Sequence, residues 1–318
     1  MRKEATAHFD LVREQNRRIV RNLLRAESPL SIAQTAEKTG LSYPTVSALL
    51  KELAAAGEAA VSNEISVAGG RPGVCYELNP AYQYGLVLYF DDLTLKGRLY
   101  DAFGRSAKEY LWENITKQIT AENIVGFAKE VQREFPALSA ISIGVPGVTF
   151  ADEISYLPKF PKLVGGELSR QLTEELSVKV FLENDINAIA LAEIGEWENF
   201  AHIVYVEEDE CIGVGIVMQG QIVKGGQGYA GELEYLCRDR RDHMDAFTTS
   251  ILALSCVLDL PDILLSGSFC TKENVEKIKE RLLKRLPKER LPRLHIVDEV
   301  QARYSRGLFQ KIVEEWSK

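Results

Sequence analysis

Ser31-Ile32-Ala33-Gln34-Thr35-Ala36-Glu37-Lys38-Thr39-Gly40-Leu41-Ser42-Tyr43-Pro44-Thr45-Val46-Ser47-Ala48-Leu49-Leu50-Lys51-Glu52-Leu53 reads as two short helices joined by a turn. Ser31 with Gln34 three residues on is a capping box, which satisfies orphan N–H groups at a helix start. Ile32, Ala33 and Ala36 share one side of that helix, and Gly40 ends it. Ser42 caps the next helix, with Pro44 tolerated in a first turn that needs no intrahelical N–H bond. Val46, Leu49, Leu50 and Leu53 then recur at i, i+3, i+4 and i+7, one buried face. Small Ala36, the turn at Gly40 and apolar Val46 let the two helices cross closely, the helix-turn-helix arrangement.

Upstream, Phe9, Val12, Ile19, Val20, Leu23 and Leu24 follow helical spacing and predict a first helix ending near residues 25–26. The outer face of the third helix offers Ser42 at its cap, then Tyr43, Thr45, Ser47, Ala48 and Lys51, short or polar groups that a major groove accepts. Three helices alone leave a bundle for protein contacts open. The following segment favours DNA: strands over 59–61 and 74–78 flank Val67-Ala68-Gly69-Gly70-Arg71-Pro72-Gly73. Such a loop lies flat, and Arg71 reaches the negative potential of a minor groove.

Leu41-Ser42, Gly69-Gly70-Arg71-Pro72 and Tyr76-Glu77-Leu78-Asn79-Pro80 together resemble the N-terminal module of the ROK family repressors, which include xylose and N-acetylglucosamine repressors. The resemblance implies that residues 1–80 form a winged helix-turn-helix that binds operator DNA. It also implies that residues 81–318 form a regulatory and dimerisation domain.

Charge agrees with that division. The net charge of −8 argues against a DNA binder as a whole-chain average, but residues 1–80 hold 10 basic and 9 acidic side chains, against 28 and 37 in the rest. The acidity lies behind the head, which is free to present a local basic face. Five scattered cysteines, Cys75, Cys211, Cys237, Cys256 and Cys270, form no CxxC pair, so no disulfide framework or zinc knuckle is expected. Without an apolar leader or an 18-residue apolar run, a reduced, cytoplasmic protein with no membrane contact is expected.

From Tyr84 strands alternate with helices. Strands are predicted over 85–90, 95–100, 140–143 and 179–182, with helices over 121–135 and 168–176. A similar order repeats: strands over 203–206, 213–218, 221–224 and 262–265, with helices over 247–258, 273–286 and 301–316. Pro287 closes the second-last helix, and Trp197 and Trp316 fall on helical patterns as core or interface residues. Two like halves predict a duplicated α/β fold with a cleft between lobes.

Four blocks in this order resemble the sugar-kinase-like domain of the same ROK family: Gly144-Val145-Pro146-Gly147, Glu183-Asn184-Asp185-Ile186-Asn187-Ala188, Gly213-Val214-Gly215-Ile216-Val217, and residues 224–232 from Lys224 to Glu232. The implied architecture is a ribonuclease H-like, actin/hexokinase-type fold of two lobes. The resemblance makes Asp185 the position of the catalytic base, and Asn184 and Glu232 contacts to sugar hydroxyls. An Asn-Asp pair at a strand end is also a common helix cap, and that alternative stands beside the ligand reading.

Other family features are replaced. Where the family kinases carry a glycine turn that admits phosphate, this chain has Tyr89, Asp91, Asp92 and Leu93. Carboxylates there bring like charges against a triphosphate and remove the close backbone approach. The late glycine-rich turn is reduced to Ser266-Gly267-Ser268-Phe269, and the family's zinc run gives way to Cys237-Arg238-Asp239-Arg240-Arg241-Asp242-His243. One Cys and one His do not make a tetrahedral site. The expectation is no metal, no cofactor, no catalysis with Asp185 as a vestigial base, and His243 as a surface residue. Tyr235 stands where the family has its sugar-contacting histidine and is expected to bond or stack on a sugar ring.

The expected function is a repressor of carbohydrate genes, a homodimer or tetramer controlled by a sugar or sugar phosphate. Two alternatives remain: a ROK-type sugar kinase carrying a DNA-binding head, and a DNA-binding regulator with a vestigial cleft.

Overall fold

The computed structural model describes residues 2–66, 73–206, 211–237 and 242–318. The head opens with α1 (Arg2–Glu27), followed by β1 (Leu30–Ser31), α2 (Ile32–Thr39) and α3 (Tyr43–Ala55), then the hairpin β2 (Ala59–Ser66) and β3 (Gly73–Leu78). Ser31 and Gln34 form the capping box, and Gly40 ends α2 in the left-handed conformation at φ 71°. Ser42 Oγ accepts from the Thr45 N–H at 3.3 Å to start α3. Val46, Leu49, Leu50 and Leu53 pack with Val20 and Leu24 of α1 and with Tyr76 and Leu78 of β3. Strand β1 was not legible in the sequence. It is two residues long and exists because β3 offers it an edge, Leu30 opposite Tyr76.

The remainder is two lobes of one design. The first contains β4 (Tyr84–Asp91), β5 (Thr94–Tyr100), β6 (Ser106–Trp112), α4 (Ala121–Glu134), β7 (Leu138–Val145), a small hairpin of β8 (Val148–Phe150) and β9 (Glu153–Tyr156), α5 (Glu167–Leu176) and β10 (Lys179–Asn184). Helix α6 (Asp185–Leu191) leads to the second lobe: β11 (Phe200–Val206), β12 (Cys211–Met218), β13 (Gln221–Ile222), α7 (Glu234–Cys237), α8 (His243–Leu258), β14 (Asp262–Ser266), α9 (Lys272–Leu283) and β15 (Arg293–Ile296). Helix α10 (Val300–Trp316) closes the chain.

The two sheets run β10-β7-β4-β5-β6 and β13-β12-β11-β14-β15. In both, the first strand of the lobe is central. It has two successive antiparallel neighbours on one side and two parallel ones on the other. That repetition is the duplicated ribonuclease H-like plan. Leu86, Leu88, Ile141 and Ile143 pack beneath α4 and α5, and Ile203, Ile263 and Leu265 beneath α8 and α9. A third core, with Ile186, Ile189, Val204, Leu308 and Ile312, lies between the lobes.

Several readings need correction. Strand β6 was missed because it is a largely exposed edge without apolar alternation, and β15 because four residues behind Pro292 carry no period. Helix α9 stops at Leu283, short of residue 286, and the N–H groups of Arg285 and Leu286 both turn back onto the Leu282 carbonyl. Trp197 lies beyond α6 rather than on a helix, bridged to Ile194 and tilted against Phe200. Trp316 is buried at the end of α10.

The head sits on the first lobe. Ala102 and Phe103, in the turn after β5, pack against the head core, and the Ala102 N–H donates to the Pro80 carbonyl at 3.1 Å.

Candidate functional site

On the head, α3 buries one face and turns the other outward. Tyr43 is 57% exposed, Ala48 and Lys51 are exposed, and Thr45 and Ser47 are half-buried. Ser42 and Thr45 also bond each other, Oγ to Oγ1 at 2.8 Å, so the hydroxyl that starts the helix is engaged in capping it. Arg71, with the rest of residues 67–72, lies outside the described residues.

Between the lobes, all four ligand-site residues from the sequence line one cleft of about 440 Å³. That volume falls within the ~300–1,000 Å³ of small-ligand sites. Asn184 ends β10 and caps α6: its Oδ1 accepts from the Asn187 N–H at 2.9 Å, and its Nδ2 donates to the Gly147 carbonyl and to Asp185 Oδ1, both at 2.9 Å. Both amide hydrogens are engaged, so Asn184 meets a ligand only through a remaining lone pair. The capping alternative is therefore realised, and the same side chain fixes Asp185 at the start of α6.

Asp185 Oδ1 accepts from the Ile186 N–H at 2.8 Å. Burial, with the like charge of Glu232, pushes its carboxyl up to about 7. Glu232 and Tyr235 come from the opposite lobe, Tyr235 being 45% exposed at the cleft wall. Their loop turns tightly at Gly231, where φ is 97° and a Cβ would lie 2.0 Å from the Val214 carbonyl oxygen. Only glycine lets the loop lie against β12 there. Lys117 and Lys159 also line the cleft. Both stand on irregular connections, where no periodicity or motif marks them.

The raised Asp185 pKa has a stability consequence. The unfolded chain releases this proton near pH 3.8 and the folded chain near 7. Folding is therefore penalised progressively as pH rises through that window. Asp185→Asn keeps the acceptor for Ile186 and removes the charge. We expect it to melt higher than wild type at pH 8, by on the order of 2 kcal/mol after discounting for partial exposure, with the gain vanishing near pH 4. A gain of equal size at pH 4 and pH 8 would show that the carboxylate is not the cause.

Asp185 also borders a second, smaller cavity of about 230 Å³ with Asp91, Asp92, Gly267, Gln301 and Tyr304. This is the place where the resemblance puts the phosphate side, and its carboxylates are not bare. Lys96 Nζ lies 2.5 Å from Asp91 Oδ2, and Lys159 Nζ lies 3.6 Å from Asp92 Oδ1. The carboxylates are paired, so bare repulsion is smaller than the sequence implied. The backbone here is tight. Asp91 pairs with Thr94, which leaves a two-residue turn of Asp92 and Leu93, with Asp92 at φ 48°. The Tyr304 ring lies so close to Gly144 that a Cβ there would be 2.4 Å from it. Its buried hydroxyl has no hydrogen-bond partner among the described residues.

His243 requires correction. It opens α8 in edge contact with Tyr205 and Phe269, at 5.1 and 5.8 Å between centroids, and is part of an aromatic cluster rather than a free surface side chain. No group of three or more His, Cys, Asp or Glu side chains gathers around a common point among the described residues. No helix among them is long and apolar enough to cross a membrane.

Residues 101–242 match the family model described as ROK family, and residues 13–57 match winged helix-turn-helix DNA-binding. The xylose repressor of Bacillus subtilis is 27% identical over 236 residues, covering 72% of this chain and 62% of that protein. The DNA-binding transcriptional dual regulator NagC of Escherichia coli is 28% identical over 242 residues, covering 72% and 59%. The chain thus spans about three fifths of the length of these relatives. A solved ROK family transcriptional regulator, described as a homologue of the E. coli MLC protein, superposes with a TM-score of 0.65 over 95% of this chain and 99% of its own, at 16% identity. A ROK family protein from Streptococcus pneumoniae, solved in complex with sucrose, gives a TM-score of 0.59 over 73% of this chain and 99% of its own, also at 16% identity. At such identity these two likenesses speak for the fold.

Proposed function

From a chain that carries a ROK family domain behind a winged helix-turn-helix, we propose a DNA-binding repressor of carbohydrate genes that is not itself a kinase. Residues 1–80 read operator DNA with Tyr43, Thr45, Ser47 and Lys51, aided by Ser42 at the cap and Arg71 in the wing. Residues 81–318 hold a sugar or sugar-phosphate effector between Asn184, Asp185, Glu232 and Tyr235, and pair two or four copies in the cytoplasm. Pairing supplies affinity, because one helix-turn-helix reads too few base pairs.

One observation carries the division of labour. The cleft that would take a sugar is open and lined by all four expected residues. The neighbouring phosphate cavity is about half its volume, with Tyr304 over Gly144. The first supports a sensor, and the second opposes a nucleotide. The names of the relatives, xylose repressor and NagC, support the same reading.

D-xylose, N-acetylglucosamine and their phosphates are the first compounds to test by thermal shift. A ligand at about 100 times its Kd stabilises the folded state by ~2.7 kcal/mol, a rise of roughly 5 °C for a chain of this size. Asp185→Ala should abolish that rise. No shift with any of them would favour a vestigial cleft, and ADP release in a coupled assay with the same sugars would revive the kinase.

A further inference from the structure

We propose that α10 carries the state of the inter-lobe cleft to the DNA-reading head, with the Arg25–Trp316 contact as its output. This rests on the regulatory reading above and assigns it a route. A 17-residue helix is about 25 Å long, and α10 is buried against both ends of the problem.

At the cleft end, Val300, Gln301 and Tyr304 line the smaller cavity, and Gln301 Nε2 donates to Asp91 Oδ1 at 3.0 Å. Further along, Lys311 Nζ lies 2.9 Å from Glu183 Oε2, and that same oxygen is 3.0 Å from Lys224 Nζ. Glu183 is fully buried and immediately precedes Asn184 and Asp185. Lys224 begins the second-lobe loop that ends in Glu232. One buried carboxylate therefore ties the ligand loop, the ligand strand and α10 together. A buried charge resists losing a partner, because the remainder is left uncompensated. Movement of the loop over a ligand is thus transmitted to α10.

At the head end, Trp316 Nε1 donates to Ser139 Oγ at 2.9 Å. Phe309 stands edge-on to Trp316 at 5.7 Å and stacks on Tyr100 at 4.1 Å. Arg25, in the last turn of α1, places its guanidinium 5.4 Å from the Trp316 ring centroid. Its Nε donates to the Ala102 carbonyl at 3.0 Å. Burial, with the neighbouring charge of Arg21, pulls the Arg25 pKa down to about 10, as expected of a cation held in an interface. Helix α10 buries Tyr304, Leu308, Ile312 and Trp316 along its length, so a displacement at one end is carried to the other.

The alternative is that Arg25 and Trp316 merely hold the head in a fixed seat. Hydrogen–deuterium exchange on the full chain, without DNA or ligand, separates the two. Lys311→Met and Glu183→Gln should each speed exchange at residues 23–27 and 102–105 by threefold or more. Arg25→Gln should speed the same amides, and in its background the cleft variants should add nothing further. Changes confined to residues 183–192 and 224–232, or fully additive effects in the double variants, would overturn the proposal. Should Glu183→Gln fail to fold, Lys311→Met, which leaves the Glu183–Lys224 pair, carries the test. Because neither operator nor effector enters the assay, failure of the regulatory reading shows itself elsewhere, in DNA binding and ligand melts.

Discussion

Gly307→Ala is expected to destabilise the protein by about 3 kcal/mol or more, lowering the melting temperature by roughly 6 °C or preventing folding. Gly307 lies where α10 crosses α6. A Cβ there would sit 1.7 Å from the Ala188 carbonyl oxygen, 2.8 Å from its carbon and 3.1 Å from the Ala192 nitrogen. All three are backbone atoms, so no side chain can rotate away to make room. Alanine is the better helix former by ~1 kcal/mol, which works in the opposite direction. The contact decides the sign: one helix must move, and α10 carries Tyr304, Leu308, Ile312 and Trp316 in the inter-lobe core. Thermal melts of the two proteins in one buffer check this. A variant that melts at or above wild type would mean that the helices part without cost.

Lys51→Glu is expected to weaken operator binding by roughly 50-fold while leaving the melting temperature within about a degree. Lys51 is exposed on α3, on the opposite side from Leu49, Leu50 and Leu53. Losing a phosphate contact to alanine costs about tenfold, and a carboxylate in its place adds repulsion from the same phosphate. The salt dependence of binding should fall in slope by about one for the lost contact. Titrations of a fragment from the gene's own upstream region, at several salt concentrations, give both numbers. If affinity holds in Lys51→Glu, the outer face of α3 is not the reading surface.

The head was legible because its signals are local. Ser31 with Gln34, Gly40, Ser42 with Pro44, and the Val46–Leu53 periodicity each act within a turn or two of chain, and each is found in place. The four blocks around Gly144, Asp185, Gly213 and Glu232 identified the two-lobed body for the same reason. A strand end or a glycine turn is a short-range statement. The exposed edge β6 and the short strands β1 and β15 were not legible, since their existence depends on a neighbouring strand.

By itself, then, the sequence determined the fold class, the order of the main helices and strands, and four side chains that line one inter-lobe cleft. Only the tertiary structure decided that Asp91 and Asp92 are paired with Lys96 and Lys159, that Tyr304 lies over Gly144, and that Trp316 meets Arg25 across most of the chain's length. Asp91 and Lys96 meet across the β4–β5 turn, whereas the other contacts join residues far apart in sequence, and periodicity and capping carry no information about such distances. The contacts of Tyr304 and Trp316 arise when α10 folds back over the first lobe to bury its apolar face, a choice made by packing the whole chain at once.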